Sequence, residues 1–227
     1  MRSMEFLSPA KEASSQIEVK RSRFIGTAAP AFTVEEAEDR ILAARKKHPD
    51  ASHKAYAYSV DSVGTGTPID RLSDDGEPRG TAGYPVLDVI KKRGLRNVVC
   101  VVTRYFGGTL LGAGGLLRAY GRAATAAFDA AGTARYVYHK VLSVTLDYGQ
   151  FERVQREFEA RGISIVDAAY AEKVSARAYV TPEDLEVVTA RIRDLTSGKA
   201  EMDILEGKYV ATHLPASIRR GATRRIR

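Results

Sequence analysis

Three carboxylates crowd one short stretch, Ser73-Asp74-Asp75-Gly76-Glu77-Pro78-Arg79-Gly80-Thr81-Ala82-Gly83. On a tight glycine turn, Asp74, Asp75 and Glu77 have the oxygen chemistry to grip a hard cation. They do not make an EF-hand, because the stretch is too short and lacks alternating ligands out to a distal Glu. The same residue types also build Asx-type turns and ion pairs to neighbouring Arg. Acid–base work by a carboxylate pair is a further option, although no sugar-type or acyl-type context surrounds it.

A second stretch, from Arg104-Tyr105-Phe106 to Arg118-Ala119-Tyr120, leaves a β-branched run and enters an Ala-rich one. Gly107, Gly108, Gly112, Gly114 and Gly115 could offer backbone amides to a phosphate where the helix starts. Gly107-x4-Gly112 resembles the opening of a P-loop, but Ala113 stands at the lysine position, which argues against a nucleotide triphosphatase. No G-x-G-x-x-G spacing occurs, so a dinucleotide fold fails too. Tight turns and close helix packing would also explain several of these glycines.

No nucleophile constellation is visible. His48, His53, His139 and His213 are scattered, and neither H-E-x-x-H nor G-x-S-x-G is present. His53 opens a predicted strand and could reach the acidic stretch, as a site residue or as an ordinary hydrogen-bonded histidine. The one cysteine, Cys100, lies in a run of valines and reads as a core residue. No metal site and no cofactor is expected from these residues.

The elements that must position the two motifs follow from hydrophobic period. Residues 17–29 read as a strand pair or one long bent strand, with Lys20-Arg21-Ser22-Arg23 in its middle. Thr33 and Glu36 form a capping box for a helix whose stripe is Val34, Ala37, Ile41 and Ala44, ending before Pro49. Residues 53–60 alternate as a half-buried strand with Tyr56, Tyr58 and Val60 on one face. Residues 61–83 are polar and read as a long loop, and Pro85 opens a short helix that Gly94 stops. Residues 97–103 predict a central strand buried on both faces, 107–115 a loop, and 116–131 a helix ending at Gly132. Beyond it the order strand 137–148, helix 151–160, strands 163–170 and 173–180, helix from Pro182, strand 202–210 is ferredoxin-like, β-α-β-β-α-β. The expected class is α+β, in two separately packed domains, 1–134 and 135–210, with a basic tail at 211–227.

Charge follows this division. The net +7 is +4 over residues 1–134, −2 over 135–210 and +5 over 211–227, where five arginines stand with no acid. That tail reads either as a phosphate-binding arm or as a solvated end. No apolar run reaches the length of a membrane helix, and the first ten residues lack a signal-peptide core, so a cytoplasmic protein with no membrane contact is expected.

Taken together, Asp74-Asp75-Gly76-Glu77-Pro78-x-Gly80-Thr81-Ala82-Gly83 and Arg104-Tyr105-Phe106-Gly107-Gly108-x-x-Leu111-Gly112-x-Gly114-Gly115-Leu116 resemble the twin signature of the YigZ/IMPACT family, uncharacterised protein family 0029. Lys20-x-Ser22-x-Phe24-Ile25 and the segment around His53 match its earlier blocks, and Phe106 is a mild departure where Tyr is frequent. The resemblance implies a first domain of the ribosomal-protein β-α type, similar to domain IV of elongation factor G, and a second similar to its domain V. It also implies a link to translation, since the eukaryotic relatives are translational regulators acting through a kinase pathway. Those relatives carry an extra N-terminal domain for that contact, for which no room is expected here.

The expected function is therefore binding of structured RNA or the ribosome by a basic surface of the first domain. Arg104 and Arg118 flank the glycine stretch, with Lys91, Lys92, Arg93 and Arg96 near in sequence. Arg offers forked donors to phosphate, and Tyr105 and Phe106 could stack on unpaired bases. One rival is a Mg-dependent phosphate-ester or nucleotide enzyme that uses the acidic and glycine stretches together. The other is a protein–protein adaptor with the acidic stretch as its contact. The single-site idea requires the two stretches to meet in space, with Arg104 or Arg118 paired to a carboxylate.

Overall fold

A computed structural model describes residues 5–61 and 67–212. The basic arginines of the tail and His213 lie outside the described residues. The chain is mixed α and β with two sheets, and it divides into two compact units. One holds the described residues up to Tyr136 together with Ala211 and Thr212; the other is Val137–Val210.

The first unit is built on an antiparallel sheet in the order β2-β3-β6-β4-β5. Its strands are β2 (Ala13–Val19), β3 (Ser22–Pro30), β4 (His53–Asp61), β5 (Pro68–Ser73) and β6 (Val98–Tyr105); β1 (Glu5–Pro9) pairs elsewhere. The valine-rich β6 is central and buried along nearly its whole length, as its continuous β-branched run demands. Helix α1 (Val34–Lys47) covers one face, where Ala37 and Ile41 pack on Tyr58, Val60, Val99 and Val101. Helices α2 (Gly83–Lys92) and α3 (Gly112–Ala131) cover the other, around Phe24, Val86, Cys100, Val102, Tyr120 and Phe128.

Several expectations shift by identifiable causes. β4 is buried on both faces, because Ala55 and Ala57 are small enough to sit beneath α2 while Tyr58 and Val60 face α1. Part of the presumed long loop is β5, an edge strand that pairs Ser73 with Tyr56 and Ile69 with Val60. The polar residues that hid it, Asp70 and Arg71, are those an edge strand exposes. In the capping box Thr33 Oγ1 accepts from Glu36 N at 3.1 Å, but Glu36 Oε2 takes the amide of Phe32 at 2.8 Å, one residue before the cap. Helix α3 begins at Gly112, so Gly112, Gly114 and Gly115 form its first turn and are not loop residues.

The second unit follows the order β7 (Thr133–Leu146), α4 (Tyr148–Ala160), β8 (Ile165–Tyr170), β9 (Val174–Val180), α5 (Pro182–Leu195), β10 (Glu201–Thr212). β9 lies between β7 and β8, and β10 pairs with β7. Leu142, Val144, Phe151, Val154, Phe158, Val188 and Ile192 form its core. The division between units falls after Tyr136, within β7: Gly132 ends α3, and the run Tyr136-Val137-Tyr138 continues as strand. β10 likewise runs two residues past its expected end.

Candidate functional site

Antiparallel pairing decides where the motifs go. Since β3 and β4 both run against β6, Arg23 lies opposite Tyr105 and His53 opposite Arg104. The C-terminal end of β6 is therefore also the start of β3 and β4, the β2–β3 turn, the end of β5, and the N-terminal ends of α2 and α3. The acidic stretch, the glycine stretch, His53 and the Lys20–Arg23 segment meet at this one end, and the two motifs touch.

Their contact is a buried ion pair. Arg104 Nη1 donates to Glu77 Oε1 at 2.6 Å, and both side chains are almost entirely enclosed. The hydroxyl of Tyr120, 43 residues further on in α3, donates to the same oxygen at 2.8 Å. Ser22 Oγ takes a longer bond from Arg104 Nη2 at 3.4 Å and also accepts from Gly107 N at 3.1 Å. Gly107 has to be glycine, because a Cβ there would overlap the backbone of Arg21 and Ser22. Phe24 packs its ring edge-on against Tyr120, with centroids 5.2 Å apart. Burial, then the charge and hydrogen bond of Glu77, push the Tyr120 phenol well above its ordinary pKa.

The other two carboxylates are also spent on local structure. Asp74 accepts the amides of Gly80, Ala82 and Gly83 at 2.7, 3.0 and 2.8 Å, which closes the loop and caps α2. Burial raises its pKa, but those amides and the charge of Arg79 outweigh burial and hold it below the ordinary value. Asp75, at φ +46, accepts Lys54 N at 2.7 Å and pairs with Arg45 at 2.9 Å. His53 Nδ1 sits 2.9 Å from the Asp75 carbonyl, and its Nε2 is 3.9 Å from Glu77. So Glu77 points inward, while Asp74 and Asp75 are half-buried. Each of the three carboxylates already holds a cation or backbone amides of the protein itself.

The residues expected to meet phosphate differ in exposure and pairing. Arg104 is 5% exposed and held by Glu77, so it does not face solvent. Tyr105 is half-buried: Arg23 lies over its ring at 4.2 Å and its hydroxyl is 2.9 Å from His48 Nδ1. Burial first, then Lys47, Arg23 and Lys54, depress the His48 pKa. Phe106 is exposed, as are Arg118 and Gly108. Lys91, Lys92 and Arg93 sit at the far end of α2 and are paired with Asp70, Asp88 and Asp129, so sequence proximity misplaced them. Arg96 pairs with Asp61.

Other cations stand at the motif end, in a turn where the pattern predicts strand and on helix α3. Lys20 and Arg21 form the β2–β3 turn, at φ +46 and +64. Arg23, Lys54 and Arg122 join them. Among the described residues Lys20, Arg21, Arg23, Arg118 and Arg122 form no ion pair; Arg21 donates to Thr109 Oγ1 at 3.1 Å, and Lys54 Nζ to the Ala51 carbonyl at 3.0 Å. The signal for them was a basic dipeptide between two strand-like runs, where Asn-Gly is the usual choice. For Arg122, one turn beyond Arg118 on an amphipathic helix, helical spacing alone would have served.

The chain matches the Impact N-terminal domain over residues 20–128 and a domain of unknown function, DUF1949, over 144–199. It is 36% identical to the IMPACT family member YvyE of Bacillus subtilis, across 87% of this chain and 89% of that one. With the IMPACT family member YigZ of Escherichia coli it shares 31% identity, across 88% and 98% of the two chains. A solved structure described as a crystal structure of an hypothetical protein superposes with a TM-score of 0.60 at 30% identity, covering 90% of this chain and 98% of that one.

Proposed function

The chain belongs to the IMPACT family, and from that premise we propose that it is a translation-linked factor that binds structured RNA, ribosomal RNA foremost, through the motif end of its first unit. The observation that carries this reading is the charge balance of that end. Its three motif carboxylates are engaged by Arg104, by backbone amides and by Arg45, while Lys20, Arg21, Arg23, Arg118 and Arg122 are exposed and form no ion pair among the described residues, and Phe106 at the same end is exposed. Clustered cations neutralise phosphates and release their counterions, and an exposed aromatic ring offers a stacking surface for a base. The resemblance to domains IV and V of elongation factor G belongs to the same proposal and favours the ribosome as the place of action.

The test is filter binding of ribosomal RNA across a salt series. Log affinity should fall linearly with log salt, and Arg118→Ala and Arg122→Ala should each flatten the slope by about 0.7–0.9. Lys91→Ala and Lys92→Ala, at the other end of α2, should leave it unchanged. Affinity that does not respond to either α3 variant, in protein that folds normally, would overturn this site.

A further inference from the structure

Between the β2–β3 turn and the first turns of α3 lies a cavity of about 170 Å³, lined by Val19, Lys20, Leu111, Gly115, Arg118, Ala119 and Arg122. Leu111, Gly115, Arg118, Ala119 and Arg122 recur at helical spacing, so α3 turns a single stripe toward the turn. The lining separates by chemistry. Val19, Leu111 and Ala119 make an apolar floor, and Lys20, Arg118 and Arg122 supply three cations that form no ion pair among the described residues.

We propose that this cavity seats one unpaired base of the bound RNA, with the flanking phosphates on Lys20, Arg118 and Arg122. The inference rests on the RNA reading above and adds to it a preference for an unpaired strand over a duplex. Size supports the assignment: sites for drug-sized ligands run to about 300–1,000 Å³, and a space of about 170 Å³ suits one flat ring, not a whole cofactor. Charge supports it as well, since an apolar floor with a cationic rim matches an apolar ring carried on an anionic backbone. A-form duplex keeps its bases stacked and cannot lend one to a cavity, whereas loops and bulges can. Lys20 and Arg21 hold left-handed backbone conformations that Gly or Asn would adopt with less strain, and this places cations beside the cavity mouth.

The experiment compares fluorescence anisotropy of the full chain with an unstructured 12-nucleotide RNA and with a perfect RNA duplex of equal length, at one fixed salt concentration. Val19→Phe fills the cavity without touching a charge, and its folding is checked by circular dichroism. Should that variant unfold, Leu111→Phe replaces it. Wild-type protein should bind the single strand more tightly than the duplex. The filling variant should weaken single-strand binding about 5- to 150-fold, the range for one lost base contact, and leave duplex binding and the salt slope as they were. Arg118→Ala should weaken both RNAs and flatten both slopes. Loss of both RNAs to the same extent in the filled variant, or no loss of either, overturns the base seat while leaving the RNA reading in place. Wild-type protein that binds neither RNA overturns both.

Discussion

Glu77→Leu should destabilise the first unit by about 3–5 kcal/mol, the cost of stranding one member of a buried ion pair. The guanidinium left behind has little else to hold. Among the described residues its other side-chain hydrogen bond is the 3.4 Å contact to Ser22 Oγ, its Nε lacks a partner, and the Phe24 and Phe106 rings each lie 5.4 Å away. Arg104 is 5% exposed, so water cannot take over the role of the carboxylate without the site opening. Tyr120, fully buried, loses its acceptor in the same variant. That loss by itself is worth about 1–3 kcal/mol but overlaps the first and does not simply add. In urea, with a slope near 2 kcal/mol/M, the midpoint of the first unit should fall by about 1.5–2.5 M, read by circular dichroism and tyrosine fluorescence. The double variant Glu77→Leu/Arg104→Met removes both charges and fills the space with apolar groups. Such replacements are often neutral or better, so its stability should return to within about 2 kcal/mol of wild type. It should also keep its affinity for RNA, because Arg104 faces Glu77 and not solvent. A single variant within 1 kcal/mol of wild type, or a double variant costing the sum of the two singles, would refute the buried-pair argument. Lost RNA affinity in a stable double variant would return Arg104 to the binding surface.

Gly107→Ala should cost about 1–3 kcal/mol by overpacking, because backbone and not a flexible side-chain tip occupies the space its methyl would enter; a urea midpoint equal to wild type would contradict this. Asp74→Asn should lower stability at pH 7 by about 0.5–2 kcal/mol. The folded-state pKa of Asp74 is depressed, so its contribution is present above the unfolded value and is lost as pH falls below about 4; wild type and variant should therefore converge in acid, as a stability–pH series would record. Cys100 is buried and its thiol is pushed up to about 12, so a thiol reagent at pH 8 should label it only on unfolding, and fast labelling of native protein would place it wrongly.

Much of the fold was legible because local rules and global packing agree. The valines around Cys100 can only be a central strand, the Thr33 cap and the 3.6-residue stripe fix α1, and the alternation after residue 137 spells out β-α-β-β-α-β. The pairing of Arg104 with a motif carboxylate was also within reach, since two stretches that both break regular structure around opposite charges favour a shared site. Sequence by itself did not decide which way those groups face. A carboxylate reads the same whether it binds a metal or closes a loop, and only the antiparallel register that sets His53 opposite Arg104 turns Glu77 inward. β5 leaves little trace in the sequence because an edge strand needs few apolar residues. Lys91 to Arg93 are near Arg104 in sequence, yet the ten residues of α2 carry them about 15 Å away from the motif end. The surface that remains, with Lys20, Arg118 and Arg122 around one cavity, joins residues about a hundred positions apart, and no local period records a contact made only when a turn folds against a helix.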